Sequence, residues 1–116
     1  MIYLIDDDKS VRRGLELFFK AAGLEFSSFV SANEYLASIT PDSNDIIILD
    51  LNLPGMSGID FLKKLEKEGI HLQVIVVTAF DDPISREYCR QYGVKAFMRK
   101  PVDGEALMDI IRFNMQ

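Results

Sequence analysis

Apolar residues change their period along this chain. Short unbroken apolar runs occur at Ile2–Ile5, Ile46–Leu49 and residues 74–77. Runs this short, rich in Ile and Val and apolar at successive positions, predict strands buried on both faces, as in a parallel sheet. Stretches 24–29 and 94–98 mix apolar with polar residues and predict weaker, edge-type strands. Between these runs the period becomes helical. Val11, Leu15, Phe18, Phe19 and Ala22 form one amphipathic stripe that Gly23 stops. Ser31 and Glu34 make a capping box ahead of Tyr35, Leu36 and Ile39. Ser57 can cap a helix carrying Leu62 and Leu65, which ends before Gly69. Asp82-Pro83 places an N-cap beside a proline at the first helical position, and Gly93 ends that helix. Asp103 can cap a last helix whose inner face is Leu107, Ile110 and Ile111.

The pattern is five repeats of strand then helix. Right-handed crossovers between parallel strands turn it into a three-layer α/β sandwich. The chain has 116 residues, enough for one domain spanning 1–116 and too few for a closed barrel, so an open doubly wound sheet is expected. In such sheets the working site lies outside the carboxyl ends of the strands.

Composition narrows the function classes. Hydrophobic residues make up 48% and charged residues 27%, a globular mixture rather than a disordered one. No apolar run approaches the roughly 20 residues of a membrane span. The start, Met1 to Asp6, has no basic segment and runs into three acids, unlike a signal peptide. A single cysteine, Cys89, excludes an internal disulfide and fits a cytoplasmic setting. Net charge is −5 and unevenly spread: residues 1–60 hold 4 Lys/Arg against 10 Asp/Glu. An acidic domain with no basic stripe is not expected to bind nucleic acid.

The strand ends carry one coherent polar set. Asp6, Asp7 and Asp8 follow the first strand, Asp50 ends the third, Thr78 and Ala79 end the fourth, and Lys100-Pro101 follows the fifth. With the central strands adjacent, Asp6, Asp7, Asp50 and Thr78 share a rim that Lys100 reaches from the side. Clustered carboxylates repel and require a compensating cation. Lys100 supplies one charge, and a hard divalent ion supplies two. Mg²⁺ prefers oxygen ligands, here Asp7, Asp50 and a backbone carbonyl of the Leu51, Asn52, Leu53 loop. Asp50 is then the natural nucleophile for an aspartyl-phosphate. The metal, Lys100 and the Thr78 hydroxyl would neutralise the equatorial phosphoryl oxygens. Pro54, Gly55 and Gly58 shape the loop above the carboxylate.

Taken together, Asp6-Asp7, the segment from Asp50 through Pro54-Gly55 to Gly58, Thr78-Ala79 and Lys100-Pro101 resemble the receiver domain of two-component response regulators. The likeness covers essentially the whole chain, in order and at matching intervals. It implies a flavodoxin-like (βα)5 fold with strand order 2-1-3-4-5. It implies that Asp50 accepts a phosphoryl group from a partner histidine kinase or phosphotransfer protein, with Mg²⁺ or Mn²⁺ required. Asp7 would bind the metal directly, Asp6 through water, and Asn52 through its backbone carbonyl. Thr78, the Ala79 backbone and Lys100 would bind the phosphoryl oxygens. The family also implies a switch: Thr78 moves toward the phosphoryl group and Phe97, three before Lys100, turns inward behind it. Phe80, two after Thr78, is placed at the mouth, where it would control water access.

The resemblance therefore implies a stoichiometric signalling switch rather than a turnover enzyme. Residues 83–102 carry five cations against Glu87 alone, so the fourth helix and fifth strand, with Tyr88 and Tyr92, are the expected partner or dimer face. A downstream effector domain is expected if the chain was cut from a longer regulator. Asp8 reads as an N-cap, His71 as a surface residue and Cys89 as a small core residue. A dehalogenase-like phosphatase would need an acid two residues after the nucleophile, where this chain has Asn52. A flavodoxin-type FMN carrier would need a Ser/Thr/Gly loop where the three aspartates stand. A constitutive docking receiver would not need the intact motif set.

Overall fold

The computed structural model describes residues 1–79 and 81–115. Five strands alternate with five helices: β1 (Ile2–Ile5), α1 (Lys9–Ala21), β2 (Phe26–Phe29), α2 (Ala32–Ser38), β3 (Ile46–Leu49), α3 (Gly58–Lys67), β4 (Gln73–Thr78), α4 (Pro83–Tyr92), β5 (Ala96–Arg99) and α5 (Gly104–Asn114). All strand pairs are parallel, in the order β2-β1-β3-β4-β5. The fold class is the expected doubly wound (βα)5 sandwich.

Alternation along each strand builds two cores. Tyr3, Ile5, Ile47, Leu49, Val74 and Val76 face α2, α3 and α4, meeting Tyr35, Phe61, Leu65 and Cys89. Ile2, Leu4, Ile46, Ile48, Ile75 and Val77 face α1 and α5, meeting Leu15, Phe19, Leu107 and Ile111. Because both faces are covered, the central strands read as unbroken apolar runs. The mixed strands β2 and β5 are the edges, with every residue only partly buried or exposed.

Helix starts follow the sequence closely. Asp8, Ser31, Ser57, Asp82 and Asp103 are the five N-caps, each accepting a backbone N–H of the first turn. Both edge strands start two residues later than expected, for one reason. Gly23 adopts φ +71, and the amides of Gly23 and Leu24 close onto the carbonyls of Lys20 and Phe19 at 3.0 and 2.9 Å. Leu24 is therefore helix closure rather than strand. The amides of Gly93 and Val94 close α4 in the same way onto Arg90 and Cys89.

Packing departs from the expected stripes in a few places. Phe18 is 43% exposed, its ring lying over Gly104. On α5 Met108 is buried and Ile110 only partly so. Among the described residues no helix is long and apolar enough to cross a membrane.

Candidate functional site

Parallel register sets the site. Ile5 pairs with Leu49 and Leu49 with Val76, so the residues just past β1 and β3 emerge side by side at the carboxyl edge. Asp50 donates its amide to the Ile5 carbonyl at 3.0 Å, and Asp6 donates its amide to the Phe29 carbonyl at 3.0 Å. The ladder thus continues one residue further and fixes both backbones. The amide of Lys100 donates to the Thr78 carbonyl at 2.9 Å, which ties the end of β5 to the end of β4. The Lys100–Pro101 peptide is cis.

The side chains converge. Lys100 Nζ lies 2.9 Å from Asp6 Oδ2 and 2.9 Å from Asp50 Oδ2. The other oxygen of each carboxylate accepts a backbone amide two residues on: Asp6 Oδ1 from Asp8 at 2.9 Å, Asp50 Oδ1 from Asn52 at 3.1 Å. Asp6 is 1% exposed and Asp50 4%, whereas Asp7 stands exposed at the mouth. One carboxylate oxygen from each of Asp6, Asp7 and Asp50 falls within 4.8 Å of the others.

Burial penalises charge here, and the lysine offsets it. Desolvation, aided by the Asp50 charge, raises the Asp6 pKa above the ordinary carboxylate value, against the Asp8 amide and Lys100. Burial alone would lower the Lys100 pKa, but bonds to and charges of Asp50 and Asp6 together raise it. One ammonium therefore spans two buried carboxylates, and the third, Asp7, forms no ion pair among the described residues. Three close hard-oxygen donors with an open side suit a small divalent cation.

The remaining expected residues fall around this centre. Thr78 is fully buried at the end of β4, and Ala79 and Asn52 are exposed at the rim. Phe97 on β5 is partly buried, and the Arg86 guanidinium sits 4.7 Å from its ring centroid. Phe80 lies outside the described residues. Asp8 caps α1, as read from sequence. His71 is exposed and stacked on Tyr92, and Cys89 is buried with its thiol pushed up to about 11 by desolvation.

Two expectations change. Tyr88 and Tyr92 do not belong to the α4–β5 face. Tyr92 is buried in the α3–α4 core, and Tyr88 donates its hydroxyl to Glu66 of α3 at 3.0 Å. Both project toward the inner side of their helix. The cationic stretch is also partly neutralised, because Arg86 pairs with Asp81 and Arg90 with Glu87.

Sequence reasoning passed over Arg12, whose Nη1 donates to the Asp6 carbonyl at 2.7 Å. Its only signal in the sequence is a cation one turn after the Asp8 cap. It also understated Gly58. A Cβ there would lie 2.6 Å from the Asp50 carbonyl oxygen, so the α3 N-terminus approaches the Asp50 backbone as only glycine permits.

The model of the family described as "Response regulator receiver domain" matches residues 2–112. Nodulation protein W of Bradyrhizobium diazoefficiens is 34% identical over 96% of this chain and 49% of its own length. Transcriptional regulatory protein FixJ of Azorhizobium caulinodans is 33% identical over 98% of this chain and 54% of its own length. The chain thus spans about half the length of these curated relatives. The solved response regulator StyR superposes with TM-score 0.88 at 32% identity, covering 99% of this chain and 58% of StyR. A CheY-like receiver domain protein from Methanospirillum hungatei gives TM-score 0.85 at 26% identity, covering 98% of this chain and 91% of the other. With the acidic rim, the bridging lysine and the 2-1-3-4-5 sheet already in place, these likenesses cover nearly every residue, and the chain belongs to the response regulator receiver domains of two-component systems.

Proposed function

We propose that this domain is a phosphorylation-driven switch in which Asp50 accepts a phosphoryl group from a histidine of a partner kinase or phosphotransfer protein. The observation that carries the proposal is the Lys100 ammonium held 2.9 Å from both Asp6 and Asp50 at the mouth of a doubly wound sheet. Asp7, Asp50 and the Asn52 carbonyl would hold a Mg²⁺ or Mn²⁺ ion directly, with Asp6 acting through water. When bound, that ion supplies positive charge against the phosphoryl oxygens.

The chain's own groups do the rest. An Asp50 carboxylate oxygen attacks phosphorus in line, the new P–O bond forms, and the P–N bond to the donor imidazole breaks with its electron pair leaving on nitrogen. Lys100, the Thr78 hydroxyl and the Ala79 amide donate to the three phosphoryl oxygens. No general base is needed, because a carboxylate is already the nucleophile. The domain is modified once per signal and does not turn over substrate.

Output follows from Thr78 and Phe97. Drawing the Thr78 hydroxyl toward the phosphoryl group opens space toward β5, and Phe97 turns into it, leaving Arg86. A ring with two positions is a bistable element of the kind that carries a local change to a distant face. That face is α4–β5–α5, where Arg86 and Arg90 of α4 line one groove with Phe97 of β5. We assign it to phosphorylation-dependent dimerisation or effector control, in a cytoplasmic regulator that does not itself touch nucleic acid or membrane.

Acetyl phosphate with Mg²⁺, followed by intact mass, tests the acceptor. Wild type gains one phosphoryl group, and neither Asp50→Asn nor the EDTA-treated protein does. An adduct on Asp50→Asn overturns the assignment. Beryllofluoride with Mg²⁺ should promote self-association in sedimentation, and Arg90→Glu, which reverses a charge on that face, should abolish it; an unchanged monomer at high concentration removes the dimer reading.

A further inference from the structure

Arg12 reaches back from the first turns of α1 to the peptide that joins Asp6 to Asp7. Its Nη1 donates to the Asp6 carbonyl oxygen at 2.7 Å, while its backbone amide donates to the Asp8 carbonyl at 3.0 Å. Asp6 is the first residue beyond β1, and its amide is the last bond that β2 offers, to Phe29 at 3.0 Å. The Asp6 carbonyl therefore emerges past the end of the ladder, where a buried acceptor left without a donor would be costly. Arg12 supplies that donor. It forms no ion pair among the described residues, and Arg12 as a residue is half-buried.

The bond has a geometric consequence. The Asp6 carbonyl belongs to the peptide plane that leads directly into Asp7, and a peptide plane rotates as one unit. Asp6's side chain is already held by the Asp8 amide and Lys100, whereas the exposed Asp7 has no such side-chain anchor among the described residues. What orients Asp7 is the plane before it and the helix after it. Arg12 is bonded to both, through its side chain to Asp6 and through its backbone to Asp8.

We infer that Arg12 is a positioning residue for divalent-cation binding: it locks the Asp6–Asp7 peptide so that Asp7 presents its carboxylate beside those of Asp6 and Asp50. This rests on the reading above that the acidic rim holds Mg²⁺. Charge and positioning make opposite forecasts. By charge alone, a guanidinium beside a cation site weakens binding, so removing it would tighten Mg²⁺ and a lysine would change nothing. Positioning predicts that both changes weaken binding, since lysine lacks the planar fork and carries a more strongly hydrated head.

The test is calorimetric titration of Mg²⁺ alone into wild type, Arg12→Lys and Arg12→Met, with amide hydrogen exchange of the metal-free proteins. The expected result is a Kd raised about tenfold in Arg12→Lys, the lower end of the cost of losing a supporting partner of a metal ligand, and raised also in Arg12→Met. The Asp8 amide exchanges faster in both variants, while Ile47 and Val76 in the sheet centre keep their protection. A Kd within twofold of wild type in Arg12→Lys, or tighter binding in Arg12→Met, overturns the inference. So does parallel loss of protection at Ile47 and Val76, which marks a merely structural role. Wild type that binds no Mg²⁺ overturns the cation-site reading instead.

Discussion

Tyr35 packs its ring edge-on against Tyr3, Phe29 and Phe61, and its hydroxyl has no hydrogen-bond partner among the described residues. A buried hydroxyl without a partner forfeits its bonds to water. Tyr35→Phe should therefore leave stability unchanged or raise it by up to about 1 kcal/mol in urea unfolding. A loss above that would mean the hydroxyl is satisfied by a buried water. Lys100 is the opposite case, a cation whose side chain is 16% exposed between two carboxylates. Lys100→Met leaves those acids facing each other and should cost about 2–4 kcal/mol at pH 7. The sign with pH is fixed. Asp6 already has a raised pKa, and losing the cation raises it further, so the native variant binds protons that the unfolded chain releases. The deficit should shrink as pH falls through the raised Asp6 pKa, and a deficit that grows instead would refute this electrostatic account. At this scale the sequence showed Asp6, Asp50, Thr78 and Lys100 because their residue types state their chemistry. Arg12 was hidden because its role is a single bond to a backbone oxygen, which no residue pattern encodes.

Among the elements, the β3–α3 connection bears most directly on the acceptor. The Gly58 amide donates to the Leu51 carbonyl at 2.9 Å, drawing the helix start against the Asp50 backbone. Gly58→Ala would place a methyl 2.6 Å from the Asp50 carbonyl oxygen and 2.6 Å from Leu51 Cα, so backbone must move. A cost of about 1–3 kcal/mol is expected, with slower phosphorylation as Asp50 shifts. Urea unfolding and acetyl phosphate kinetics check both halves. The caps are simpler. Asp103 accepts the amides of Glu105 and Ala106, and Asp103→Ala should cost about 1 kcal/mol without changing the phosphorylation rate. Helix starts were legible to the residue because a cap is a local side-chain bond. Edge-strand starts were not: Leu24 and Val94 are apolar for helix closure, and periodicity cannot separate closure from strand.

Across the whole molecule, the two-sided sheet was readable because burial on both faces leaves an unbroken apolar run. The register that brings Asp6 beside Asp50 was not, since hydrophobic runs do not say which residue pairs with which. The folded chain also holds several protons more tightly than the unfolded one. Burial raises the pKa of Tyr3, Tyr35 and Tyr92, and pushes Cys89 from 9.0 up to about 11. Despite the opposing effect of burial, Asp50 and Asp6 raise Lys100 as well. In each case the unfolded chain deprotonates first as pH rises, so stability falls from about pH 9 upward. A urea midpoint that stays level between neutral pH and about pH 10 would contradict this.

The central claim is that Asp50 carries the phosphoryl group. Borohydride reduces an acyl phosphate to an alcohol, so protein treated with acetyl phosphate and Mg²⁺, reduced and digested should yield homoserine at position 50, located by peptide mass spectrometry. Homoserine at position 6 or 7 with an intact Asp50, or at no aspartate in protein that has gained phosphate, would contradict the account.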